Sequence, residues 1–291
     1  MLKDTKANKI FLITVISILA ILFSMDFVWQ KRGKENRSEH SYSFAASDSV
    51  KIDTISTDVI LVVDPKTKEA LVSIGENDKS SLKVVKNGKE LSIAVSPLSQ
   101  GFLNFFNSQN TPLVITLPQA MFDQLEIKTT SGDILFMQDF TASKILISSV
   151  SGDVDMLNLS SSDALTIKTI SGDISGYSAI SKGQLSLASS SGDFEVDSLE
   201  GKNISLHTIS GEIEGRVHIL PQGSLEGSTT SGSLDLDLSK TQDMDIQATK
   251  VSGSILFNNQ RQEGSPAVTS TGNKTTVVKL STVSGDLDIR F

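Results

Sequence analysis

The tetrapeptide Ser-Gly-Asp-Ile and its variants return eight times in this chain: SGDI at 131–134, SGDV at 151–154, SGDI at 171–174, SGDF at 191–194, SGEI at 210–213, SGSL at 231–234, SGSI at 252–255 and SGDL at 284–287. The spacings are 20, 20, 20, 19, 21, 21 and 32 residues. A fixed period of this length is the mark of a repeat architecture, in which each unit is too small to bury its own apolar row and must stack on its neighbours. The last spacing holds an insertion of about eleven residues, placed within 258–272, where polar, Gly and Pro residues cluster.

The similarity reaches upstream of the motif. Leu125, Ile127, Thr129 and Ser131 are echoed by Ile145, Ile147, Ser149 and Ser151, and then by Leu165, Ile167, Thr169 and Ser171. The pattern continues through Leu185 and Leu187, Ile204 and Leu206, and Val278 and Leu280. Alternation with period two is the signature of a strand with one buried face. After each Gly a second short strand carries Ile134 and Phe136, Val154 and Met156, Phe194 and Val196, Ile255 and Phe257, or Leu287 and Ile289. Each unit therefore reads as strand, Ser-Gly-Asp corner, strand and polar return. No segment of the body has a helical period. The fold class expected is all-β: a single-stranded β-solenoid of about 20-residue coils, with a stacked β-sandwich as the alternative. The copies are imperfect. Gly227 replaces an apolar residue, Lys250 stands at a Thr position, and Val150, Ile170, Ile209 and Val251 break strict alternation just before the Ser, which asks for a corner or bulge there.

Four segments follow. Residues 1–30 contain an uncharged run, 10–25, extended by Phe27, Val28 and Trp29. As a helix this stretch spans about 30 Å, the thickness of a hydrocarbon core. It is expected to be one N-terminal transmembrane helix acting as an uncleaved signal-anchor, because no small-x-small cleavage pattern follows it. Residues 31–49 read as a polar tether. Residues 50–118 lack the motif but carry short β runs, an Asn87-Gly88 hairpin signal and a degenerate motif at 55–59; they are expected to form the first coils and a cap. Residues 119–291 are the repeat body, where Ser160, Ser161 and Ser162 read as an exposed return.

The chain carries 26 basic and 34 acidic side chains and no Cys. Residues 1–40 hold 7 Lys/Arg against 4 Asp/Glu, and the remainder 19 against 30. An acidic body is a poor match for nucleic acid. The lack of Cys removes disulfide scaffolds, thiolate metal sites and thiol nucleophiles. Basic residues flank the apolar run on both sides, Lys3, Lys6 and Lys9 before it and Lys31, Arg32, Lys34 and Arg37 after it. The short tail before the anchor favours an extracytoplasmic body at the cell membrane.

The repeated strands, entered through Leu-Val-Ile-Thr-Leu-Pro118, resemble the bacterial putative-adhesin family of unknown function over roughly residues 45–291. Anchor, tether and body together look like the LiaG-type membrane-anchored proteins of Gram-positive cell-envelope stress systems. The resemblance implies this fold and a role in interaction or scaffolding at the envelope; it brings no catalytic residues.

Three constellations could carry function. Asp133, Asp153, Asp173, Asp193, Glu212 and Asp286 would align along one edge of the rod. Stacked carboxylates can hold Ca²⁺, but Ser233 and Ser254 replace the acid in two units. Ser keeps an acceptor and loses the charge, which suits a structural corner. Gly132, Gly152, Gly172, Gly192, Gly211 and Gly285 belong to the same corner. No metal or cofactor is expected, and His207 and His218 are too scattered for a catalytic triad. An envelope polysaccharide-binding or -cleaving protein is the alternative, though it wants an aromatic-lined groove. Phe102, Leu103, Phe105 and Phe106 form the densest aromatic cluster of the body. They read as a plug over the end of the core or as a contact with a membrane protein or lipid. At the other end, Ile289 and Phe291 lie on a terminal strand with no cap after it, an edge expected to pair with a partner or with itself.

Overall fold

A computed structural model describes residues 38–43, 45, 48–74, 80–97 and 111–291. The expected transmembrane helix lies outside the described residues. So do Phe102, Leu103, Phe105 and Phe106. Among the described residues no helix is long and apolar enough to cross a membrane.

The described body, residues 38–291, is all strand and turn. The first nine strands are β1 (Ser38–Ser43), β2 (Ser49–Asp53), β3 (Val59–Asp64), β4 (Glu69–Ile74), β5 (Ser80–Asn87), β6 (Glu90–Pro97), β7 (Leu113–Pro118), β8 (Phe122–Lys128) and β9 (Ile134–Phe136). The repeat body continues with β10 (Phe140–Ser148), β11 (Val154–Lys168), β12 (Ile174–Ala188), β13 (Phe194–His207), β14 (Ile213–Thr229) and β15 (Leu234–Asp237). It ends with β16 (Met244–Ser252), β17 (Ile255–Phe257), β18 (Gln260–Arg261), β19 (Ala267–Ser270), β20 (Thr276–Ser284) and β21 (Leu287–Arg290).

The central strands pair in parallel and almost one period apart. Ile147 lies beside Ile167, Leu165 beside Leu185 and Leu187 beside Leu206. The pairing turns each alternating row into a buried ladder: Leu125, Ile127, Ile145, Ile147, Leu165, Ile167, Leu185 and Leu187 are all fully buried. The strand after the corner does the same with Ile134, Val154, Ile174, Phe194, Ile213 and Leu234. This is the β-solenoid geometry: coils stack at about 4.8 Å and share one continuous core. Gly227 breaks the row for a steric reason. A Cβ there would come within 2.7 Å of Leu280 and 2.9 Å of Leu234, so the Leu side chains of adjacent strands occupy its place.

The order of coils in space departs from their order in the chain at both ends. At the C-terminal end, β14 pairs with β20 and β15 with β21; β20 and β21 then pair with β16 and β17. The last coil in sequence therefore sits between the coil of β14–β15 and the coil of β16–β17. At the N-terminal end, β2 lies between β8 and β6, and β3 between β9 and β7. The first coil is likewise inside the second. Among the described residues the strands make ten coils, closed by antiparallel strands: β5 on β6, β4 on β7 and β1 on β4 at one end, β19 on β16 and β18 on β17 at the other. Antiparallel strands stop the stack because they do not repeat the corner.

Three expectations need correction. Ser38–Ser43, assigned to the tether, forms β1 because it finds an antiparallel partner in β4. The C-terminal strand is not an open edge: β21 has a parallel neighbour on each side, and Ile289 is fully buried. Phe291 packs edge-on against Phe257 with ring centroids 5.7 Å apart, and its N–H donates to Asn258 Oδ1 at 2.8 Å. Ser161 is not exposed; it is buried and its hydroxyl donates to Ser181 Oγ at 2.8 Å. The insertion expected within 258–272 supplies β18 and β19 at the C-terminal end of the stack.

Candidate functional site

The Ser-Gly-Asp corner is where the sequence concentrates its polar repeats, and the structure brings all of its copies into register. The Gly column is dictated by contact. A Cβ on Gly152 would lie 1.9 Å from the carbonyl oxygen of Gly132, and one on Gly172 2.1 Å from that of Gly152. The same clash repeats at Gly192 and Gly211, and in stacking order Gly285 lies on Gly232 and Gly253 on Gly285. Only Gly lets the coils approach this closely.

The acid that follows serves the same approach. Asp133 N–H donates to Asp58 Oδ1, Asp153 N–H to Asp133 Oδ1, Asp173 N–H to Asp153 Oδ1, Asp193 N–H to Asp173 Oδ1 and Glu212 N–H to Asp193 Oδ1, all between 2.8 and 3.0 Å. Ser233 takes the same role, accepting from Asp286 N–H at 3.2 Å, and Asp286 Oδ1 accepts from Ser254 N–H at 2.7 Å. The Ser254 hydrogen bonds, from hydroxyl and N–H alike, hold the Asp286 carboxyl below the usual carboxylate range. Inside the corner, Thr129, Ser149 and Ser189 are buried, and their hydroxyls accept from Gly132, Gly152 and Gly192 N–H. The corner acceptor thus reaches across to the next coil, where the sequence suggested a bond within its own turn. Among the described residues no group of three or more His, Cys, Asp or Glu side chains is arranged to hold a metal ion.

A second acidic column was missed. On the strand after the corner, the side chains opposite the core include Asp155, Glu195, Glu214, Asp235 and Asp288, with Asp197 and Asp237 two residues beyond Glu195 and Asp235. The signal was present in the Leu-Asp-Leu-Asp run at 234–237 and the Phe-Glu-Val-Asp run at 194–197, where period two sends every second residue outward. Burial raises the carboxyl pKa of Asp155. The hydroxyl of Ser175, which donates to Asp155 Oδ1, opposes the rise, and Asp153, Asp133 and Asp173 reinforce it. Glu195 is raised by burial and then by Glu214, Asp197 and Asp193. A shallow depression of about 270 Å³ opens on this face, with Glu212, Glu214, Asp235, Asp286 and Asp288 around it. Arg290 partly neutralises it, 2.6 Å from Asp235 and 4.0 Å from Asp288.

His207 and His218 lie apart. His207 is exposed and its Nδ1 is 2.7 Å from Ser228 Oγ, while His218 Nδ1 is 3.0 Å from Glu200 Oε2. Phe136, Phe140 and Phe194 are buried, whereas Tyr177 is 54% exposed. The structure does not bring Ile289 and Phe291 to an open surface strand.

The family model described as Toastrack DUF4097 matches residues 32–290. Among solved structures, a putative adhesin from Bacteroides fragilis is 16% identical, with a TM-score of 0.54 over 89% of this chain and 98% of that one. A putative adhesin from Parabacteroides distasonis is 13% identical, with a TM-score of 0.48 over 88% and 98%. A putative lipid binding protein from the same species is 17% identical, with a TM-score of 0.42 over 89% and 97%. The first of these shares the fold. No curated protein matches the chain.

Proposed function

This chain belongs to the Toastrack DUF4097 family, and from that premise we propose that its rod is a non-enzymatic surface for interaction or scaffolding at the bacterial cell envelope. The observation that carries this reading is the use made of the repeated polar residues. The corner Asp and Ser oxygens accept N–H groups of the adjacent coil, as Asp133 accepts from Asp153. The motif that dominates the sequence is thereby occupied in joining coils. What remains to act is the outer surface: side-chain ladders repeated at about 4.8 Å, acidic after the corner and largely neutral before it. Such a surface suits recognition of an extended or repeating partner. The description of a solved relative as a putative adhesin agrees with this reading.

In the full reading, residues 10–29 hold the chain in the membrane and the rod stands outside the cytoplasm, where it serves an envelope stress response. The absence of Cys permits a direct test. Ser162 is exposed, unlike its neighbour Ser161. A membrane-impermeant maleimide should label Ser162→Cys in intact cells and Thr5→Cys only after permeabilisation. The reverse pattern would place the body in the cytosol and end the envelope reading. Crosslinking in intact membranes followed by copurification should recover an envelope component on the exported rod.

A further inference from the structure

Six of the exposed large apolar side chains stand at one position of the coil, the residue immediately before the corner Ser. They are Ile55, Val150, Ile170, Ile209, Val283 and Val251, between 40% and 79% exposed. The corner ladder makes them one ridge: Ser131 N–H donates to the carbonyl of Ile55, Ser171 N–H to that of Val150 and Ser191 N–H to that of Ile170. Thr130, Ser190 and Thr230 fill the remaining places with short side chains. An apolar ridge interrupted only by short Ser and Thr side chains is the kind of feature that marks a contact.

The two flanks of the ridge differ in charge. On the side after the corner run the exposed carboxylates Asp133, Asp153 and Asp173. On the side before it Lys168 stands exposed at the end of β11, while Lys128, at the end of β8, is paired with Glu126. Two rods can meet ridge to ridge in two symmetric ways. A two-fold axis across the rods would set carboxylates against carboxylates. A two-fold axis along the rods sets Lys168 of each copy against the acidic flank of the other, with every ridge residue beside its own counterpart.

We propose that the ridge through Val150 and Ile170 is a self-association surface on which two copies of this chain lie side by side and in the same direction, with Lys168 of each facing Asp173 of the other. The contact is one coil corner wide. Its area falls below the roughly 800 Å² per partner of a standard stable interface. Pairing is therefore weak in dilute solution and grows where copies are concentrated.

Disulfide trapping suits a weak contact, and the chain offers no competing thiol. Under mild oxidation, Val150→Cys and Ile170→Cys should each form self-crosslinked dimers at least tenfold faster than Tyr177→Cys, which is equally exposed but lies off the ridge. Adding Lys168→Glu to Ile170→Cys should slow trapping by a similar factor. Circular dichroism checks that each variant is folded. Equal trapping rates at Ile170 and Tyr177 would overturn the proposal. So would crosslinks between a Val150→Cys copy and an Ile209→Cys copy that outpace the self-crosslinks, because these report opposed rods. Protection of Ile170→Cys from maleimide by phosphatidylglycerol vesicles, without self-crosslinking, would assign the ridge to lipid and overturn it equally.

Discussion

The backbone N–H of Asp153 donates to Oδ1 of Asp133 at 2.9 Å, twenty residues away along the chain and one coil away in space. The link recurs from Asp58 to Glu212, so each corner is completed by the coil stacked on it. The side chain that looks like a ligand in the sequence is a joint in the structure.

That assignment separates two neighbouring substitutions. Gly172→Ala would drive a Cβ to 2.1 Å from a backbone carbonyl that cannot retreat without moving its coil. It should cost about 3 kcal/mol. Asp173→Ala loses one inter-coil acceptor, for Asp193 N–H, at about 1 kcal/mol. Asp173→Ser should be milder still, since Ser233 already performs this task. Urea midpoints in the order wild type, Ser, Ala and then Gly172→Ala are expected. An Asp173→Ser midpoint as low as that of Gly172→Ala would contradict the joint.

Three residues separate opposite outcomes on β11 and its corner. Ile167 is fully buried and Ile170 is 51% exposed. Ile167→Asp puts an unpaired charge in the core and should cost more than about 4 kcal/mol. Ile170→Asp should stay within about 1 kcal/mol of wild type. Thermal melts of the two proteins measure the difference, and similar melting temperatures would rule out the stacked core.

Stability should carry a pH signature from Asp155. Burial raises its carboxyl pKa in the folded chain, so the fold holds this proton after the unfolded chain has released it. Its contribution is complete below the ordinary Asp value and is lost as pH rises through the raised one. Asp155→Asn should therefore remove a decline in stability across that window and leave the variant at least as stable as wild type at neutral pH. A variant that loses stability at neutral pH while gaining none of this flatness would show that the carboxylate itself is needed there.

The exchanged order of the last coils predicts a disproportionate effect of truncation. Removing residues 276–291 takes out β20 and β21, the parallel neighbours of β16 and β17. Hydrogen exchange should then reveal lost protection in 244–257 as well, so that two coils melt for one deleted. Retained protection there would mean that β16 and β17 can seat directly on β14 and β15.

Much of the coil could be read from the residues. Twenty-residue spacing gave the stacking period, and the alternation of Leu165, Ile167, Leu185 and Leu187 marked the buried rows. The residues before the corner Ser, such as Val150 and Ile170, broke alternation because the chain turns outward there. The coil order at the ends was hidden for a physical reason. Units that resemble one another can pair with any neighbour in register, and nothing local distinguishes β14 beside β20 from β14 beside β16. Ser161 was hidden by a similar effect: its burial depends on Ser181 in the next coil, which no local pattern reveals. The outer acidic column was legible in the Leu-Asp-Leu-Asp alternation, but the repeat motif drew attention to the corner.

The outermost coils are the second and the second-to-last in the chain, and this constrains how such a rod can change length over generations. A unit appended after β21 or before β2 would begin from a strand already flanked on both sides, and would have to cross a finished end to find a place. A unit duplicated within the central run, between β10 and β14, meets similar neighbours above and below and leaves both ends as they are. Growth is thus confined to the middle, in steps of one coil, or about 4.8 Å. Relatives built on this plan can differ in reach while sharing the same two sealed ends.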